Sequence, residues 1–166
     1  MNIKRLTMAA VSVALFTGVA SAEAPAKSST QSASKPVDML ATEGFQLNKH
    51  WEVKDGVLTS SKTPGGILWS KERYDDFQVT LEYKTSAKCN SGLFFRTDSS
   101  NPVQGGFEIQ IASNGLYQGK HVVGSLYDAK ASSKQAGKPD GEWNTMVLSC
   151  NGPAIKVVLN GEQVLE

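Results

Sequence analysis

The chain has 166 residues, 40% of them hydrophobic and 20% charged, with 17 Lys and Arg against 16 Asp and Glu. That length suits one domain with a sizeable buried core. The near-neutral balance gives no basic footprint for nucleic acid or for an anionic membrane surface.

Residues 1–22 read as a secretory signal peptide. Lys4 and Arg5 form a positive n-region, Leu6 to Ala20 is uncharged and mostly apolar, and Ala20-Ser21-Ala22 is a small-residue cleavage site. The apolar run is short for a membrane span and no later run resembles one. The leader carries no cysteine for lipid attachment. The expectation is a soluble periplasmic or secreted protein, with no membrane insertion after cleavage and no nucleic-acid partner. Removing the leader takes two basic residues and no acid, so the mature chain carries a net charge of −1.

Residues 23–38, containing "EAPAKSSTQSASKP", lack an apolar period and read as a flexible linker. Residues 39–166 are expected to form the domain. "WEVKDGVLTS" places an Asp-Gly turn between two strand-like runs. "GGILWS" follows, then "DFQVTLEYKT", where Phe77, Val79, Leu81 and Tyr83 alternate with Gln78, Thr80, Glu82 and Lys84. This is the clearest period-two pattern in the chain.

"CNSGLFFRTDSSNPVQGGFEIQIAS" predicts two strands joined by a Pro/Gly loop. In the second strand Phe107, Ile109 and Ile111 lie opposite Glu108, Gln110 and Ala112. "VVGSLYDA" is a weaker strand candidate. "WNTMVLSC" and "AIKVVLN" are strands bounded by Asn-Gly turns. No long helix and no internal repeat is evident, so an antiparallel sandwich or barrel is predicted. Gln163 to Glu166 reads as a strand barely begun, and a chain truncated before its closing strands is the expectation.

Placing the strands of Glu82, Arg96 and Glu108 side by side gives one polar patch of Glu82, Lys84, Arg96, Glu108 and Gln110. A guanidinium between carboxylates orients them and holds a sugar hydroxyl or an oxyanion. The competing reading is a solvated sheet face with cross-strand ion pairs. A conventional glycosidase needs two carboxyl groups, roughly 5–5.5 Å apart for retention or 6.5–9.5 Å for inversion. Glu82 and Glu108, two strands apart, would suit inversion.

His50 and His121 sit in no metal-spaced motif, and His121 reads as a surface histidine. Asp75-Asp76 reads as a turn. Trp51, Trp69 and Trp143 are candidate sugar platforms, although packing is the commoner role. Cys89 and Cys150, the only cysteines, form one disulfide or remain two buried thiols.

The ordered elements "WEVKDGVL", "DFQVTLEYK", "NSGLFFR", "GFEIQI", "GSLYD", "GEWNTMVLSCNG" and "IKVVLNG" resemble the 3-keto-disaccharide hydrolase domain family from about Phe45 onward. The resemblance implies an all-β, concanavalin-A-like jelly-roll β-sandwich. The family continues past the Asn-Gly turn through further strands that help close the sandwich.

The resemblance also implies a carbohydrate partner, a 3-keto-disaccharide or glycoside. A C3 ketone acidifies the C2 hydrogen, a base removes it, the anomeric group leaves, and water adds back. That chemistry needs a base and an enolate stabiliser, an Arg or a divalent metal. Glu108, Glu82 and Arg96 are the implied catalytic candidates, with Asn90, Gln110, Lys84 and Tyr127 binding substrate. A non-catalytic carbohydrate-binding module and an inverting glycosidase are the alternatives.

Overall fold

The computed structural model describes residues 1–10, 35–41, 43–60 and 66–166. Among them the strands are β1 (Asn2–Ala10), β2 (Val37–Asp38), β3 (Phe45–Gln46), β4 (Trp51–Lys54), β5 (Val57–Ser60), β6 (Trp69–Ser70), β7 (Phe77–Lys84), β8 (Asn90–Phe95), β9 (Phe107–Ala112), β10 (Trp143–Asn151), β11 (Ala154–Leu159) and β12 (Glu162–Leu165). One short 3-10 turn spans Gly119–His121. The protein is an antiparallel β-sandwich, as its short alternating runs predict.

The large sheet runs β12-β11-β10-β7-β1-β5-β4, with β2 paired to the far end of β1. β7 is central because its alternation is complete. Phe77, Val79, Leu81 and Tyr83 are buried, while Gln78, Thr80, Glu82 and Lys84 face outward. β10 repeats the pattern with Met146, Leu148 and Cys150 buried, and Val157, Leu159 and Val164 extend the core onto β11 and β12. Tight turns join neighbours: Asp55-Gly56 and Asn160-Gly161 hold all four residues at positive φ, the conformation of a two-residue hairpin turn. The last run, read as a strand barely begun, is β12 and pairs with β11.

β8 and β9 form a small sheet of their own. The Phe95 ring stacks on Phe107 at 5.5 Å and meets Phe77 of β7 edge-on at 6.3 Å. Ile109 and Ile111 are fully buried in the same core. This face therefore turns toward the large sheet. β3 and β6 make a further two-residue pairing.

Two features differ from the sequence reading. Asn2–Ala10, the charged start of the predicted leader, forms β1 and pairs with β7 on one edge and with β5 and β2 on the other. Ile3 and Leu6 bury against the core, each worth roughly 1.5–3 kcal/mol. An alternation of apolar residues served the strand as well as it would serve a leader. Residues 11–22 of the leader and 23–34 of the linker lie outside the described residues. The "VVGSLYDA" run forms turns and not a strand, and makes only isolated bridges, Ile109 with Leu126 and Leu126 with Lys130.

Candidate functional site

Register decides what meets on the second face of the small sheet. Gly92 lies opposite Gln110 and Phe94 opposite Glu108, with Asn90 opposite Ala112. Residues 124–127, though in irregular chain, bridge to the open edge of β9. The Gln110 N–H donates to Ser125 O at 3.0 Å, the Gly124 N–H to Gln110 O at 2.9 Å, and the Tyr127 N–H to Glu108 O at 2.9 Å. Cross-strand neighbours share a face, so Phe94, Glu108 and Tyr127 form one row and Gly92, Gln110 and Ser125 the next.

Glu108 is half-buried and folds back over β8. A Cβ added to Gly92 would lie 1.9 Å from Glu108 Oε1, so only glycine leaves room for this carboxylate. Among the described residues no cation or hydrogen-bond donor engages it. Burial alone pushes its carboxyl above the ordinary range.

Gln110 is buried and donates from Nε2 to Asn90 Oδ1 at 3.1 Å. That bond occupies the Asn90 side-chain acceptor, and Asn90 itself is exposed. The Gln110 Oε1 atom is buried without a partner among the described residues. An orphan acceptor of this kind is costly unless something donates to it.

Tyr127 is exposed, and its ring lies 4.7 Å from that of His121. His121 Nε2 in turn lies 3.6 Å from Asp128 Oδ1. His121, read as a surface histidine, therefore borders the site through Tyr127. Gly92 and Phe94 were also missed. Their signal was the alternation Asn90, Gly92, Phe94 on the face that register pairs with Glu108.

Two predicted residues, Glu82 and Lys84, do not join this group, and a third, Arg96, lines the same cleft but is engaged elsewhere. β7 pairs with β10 and β1, not with β8 or β9. Glu82 and Lys84 therefore lie on the outer face of the large sheet. Glu82 accepts from Lys4 Nζ and Arg5 Nη1, both at 2.9 Å. The Lys4 hydrogen bond and the two positive charges hold its carboxyl below the ordinary range. Lys84 and Lys4 sit over the Trp143 ring at 5.0 and 4.8 Å. Arg96 takes positive φ at the end of β8 and reaches Asp76 Oδ1 and Asp75 O, both at 3.4 Å. The single patch of Glu82, Lys84, Arg96, Glu108 and Gln110 does not form.

Both cysteines are free thiols. Cys150 registers with Phe77, at one end of β7, whereas Cys89 lies in the short turn that follows the other end at Lys84, its N–H donating to Ser86 O. Roughly 20 Å of strand separates those positions, far beyond the reach of a disulfide. Trp51 is tied by its Nε1 donor to Gly66 O at 2.6 Å, a packing role.

A cleft of about 1510 Å³ reaches Glu108, Gln110, Asn90, Phe94 and Tyr127, and continues between the sheets to Leu81. Among the described strands β8 pairs only with β9, and its open edge lets the cleft touch both faces. Among the described residues no three His, Cys, Asp or Glu side chains gather where they could hold a metal ion.

The model of the 3-keto-alpha-glucoside-1,2-lyase-like domain matches residues 38–166. Two crystal structures from Parabacteroides distasonis ATCC 8503, each of a proposed glycosyl hydrolase, resemble the chain. One is 32% identical with a TM-score of 0.67, and the match covers 74% of this chain and 65% of the other. The second is 21% identical with a TM-score of 0.65, covering 74% and 66%, and supports the fold alone. The chain thus spans just under two thirds of the length of each. No protein of curated function matches it.

Proposed function

The chain belongs to the 3-keto-alpha-glucoside-1,2-lyase-like family, and from that premise we propose that it cleaves 3-keto glycosides by elimination, with Glu108 as the base. The observation that carries this reading is a half-buried carboxylate held over Gly92 with its proton affinity raised. Along β8, β9 and residues 124–127 it is the one carboxylate; the other acids on the cleft, Glu72, Asp75, Asp76 and Asp98, come from other segments. Hydrolysis through a carboxyl pair asks for two, whereas proton abstraction beside a ketone asks for one.

Glu108 takes the C2 proton, and the electron pair moves into the C2–C3 bond as the ketone becomes an enolate. Return of that pair expels the anomeric oxygen substituent as C1–O breaks, leaving a C1–C2 double bond conjugated to the ketone. The leaving oxygen takes a proton, and water adding across the double bond completes net hydrolysis. A base whose proton affinity is raised toward working pH is better matched to this transfer.

Asn90, held by Gln110, offers its amide N–H groups to the enolate oxygen. Gln110 Oε1 accepts from a neighbouring sugar hydroxyl, and Phe94 and Tyr127 flank the ring. On the leader reading of residues 1–22 the reaction takes place in the periplasm or outside the cell.

The test is turnover of 3-keto and unoxidised disaccharides by the purified chain and by Glu108→Gln. The expected result is cleavage of the ketone substrate only, lowered 10²–10⁴-fold in the variant with its circular dichroism unchanged. Wild-type turnover in Glu108→Gln overturns the assignment. Binding without any turnover by the wild type points instead to a carbohydrate-binding module, and cleavage of unoxidised sugar to a glycosidase.

A further inference from the structure

The large sheet is held together by the segment that reads as an export leader. β1 lies between β5 and β7, and without it the sheet order breaks at that point. We propose that the gap between β5 and β7 is a strand-acceptor site that retains Asn2–Ala10 as a non-covalent ligand once the chain is cut between it and the domain, holding it as an extended segment with an apolar inner side and a basic outer side. Added strands gain main-chain hydrogen bonds from the sheet edge and specificity from side-chain pockets.

Both are present here. β1 registers with β7 from Asn2 opposite Lys84 to Ala10 opposite Phe77, with β5 at Asn2 and Ile3, and with β2 at Thr7 and Met8. The Met39 N–H also donates to Leu6 O at 2.8 Å. The register shifts between Ile3 and Arg5, so that Lys4 is an extra residue opposite β7. Such a bulge puts two successive side chains on one face. Ile3 and Leu6 consequently both turn inward, at 6% exposure each, while Lys4 and Arg5 both turn outward.

The acceptor side is matched to them. Glu82 receives both cations at 2.9 Å, and the Trp143 ring lies under Lys4. Ser60 Oγ accepts from the terminal ammonium at 3.0 Å. The site thus recognises an inward apolar pair and an adjacent pair of cations. Cutting after Ala22 would turn this strand into a separate peptide held by these contacts alone.

The experiment uses the full chain with a specific protease site introduced within residues 23–34, cut after folding. The N-terminal fragment is expected to co-elute with the domain and to leave only in denaturant. Raising ionic strength should speed its release, because the outer pairs are partly exposed. Glu82→Lys should speed release roughly ten-fold, each lost pair accounting for up to about five-fold, and Lys4→Glu with Arg5→Glu should restore retention. If Glu82→Lys fails to fold, the salt dependence of the wild type decides. A fragment that leaves at once overturns the proposal, as does a domain that dimerises on release, since the gap then takes a second copy. Release that ignores both salt and Glu82→Lys overturns the charge recognition.

Discussion

Glu82 and Glu108 start from the same local rule and end in opposite states. Each is the polar residue of an alternating strand, turned away from the apolar core. Glu82 lies on the wide sheet between two cations, which hold its carboxyl in the charged form. Glu108 lies on the small sheet with Phe94 and Tyr127 beside it and no cation, and burial favours its proton. Strand parity places a carboxylate on a face. The strands on either side decide whether it serves as an ion-pair partner or a base.

The contrast can be broken from the Glu108 side first. Gly92→Ala puts a Cβ where the Glu108 carboxylate lies, so the base must swing away. Turnover of a 3-keto glycoside should fall about 10²-fold, the usual cost of a misplacement near 1 Å, with the melting temperature as the check on folding. Phe94→Lys would give Glu108 the cation that Glu82 has. The acid limb of its pH–rate profile should move to lower pH, and the weaker base should turn over about ten-fold more slowly.

On the other side, Glu82→Gln in the full chain should leave turnover within about two-fold and cost about 1 kcal/mol of stability, measured by denaturant melts. The folded carboxyl of Glu82 is held below its unfolded value. Its contribution is therefore present above the unfolded value and disappears as pH falls through the folded one. The gap between wild type and Glu82→Gln should close on acidification.

Glu108 has the reverse sign. Its folded carboxyl is raised, so stability declines as pH climbs from the unfolded to the folded value. Glu108→Gln should be more stable than wild type above that window. The smallest effect is that of a reductant, which should not move the melting temperature because both cysteines are free.

Much of the strand pattern was legible because it is local. The Asp55-Gly56 turn and the alternation of β7 carry their own signals, and so does the parity of Glu108 and Gln110. Partnership between distant strands carries none. Nothing within "DFQVTLEYK" says that its neighbours are β10 and β1, so Glu82 and Lys84 were grouped with the wrong face. Arg96 followed the parity of β8 in the sequence, but its positive φ turns the chain there and sends the guanidinium to Asp76. His121 approaches only through the ring of Tyr127, a contact between residues in irregular chain. The polarity of β1 was legible and its destination was not, since a charged start and an apolar run fit a leader and a bulged strand alike.

The register of β1 also sets a clock. Asn2 finds its place opposite Lys84, so the ribosome must add more than eighty residues before that neighbour exists. At the usual rate of about 5–20 residues per second, the first segment of the chain waits roughly 4–17 seconds for β7, with only the short edges of β2 and β5 made before it. During synthesis it is available first to whatever captures a nascent amino end, and only afterwards to the sheet. On the leader reading, capture during synthesis and entry into the sheet compete for the same segment, and capture has the earlier start.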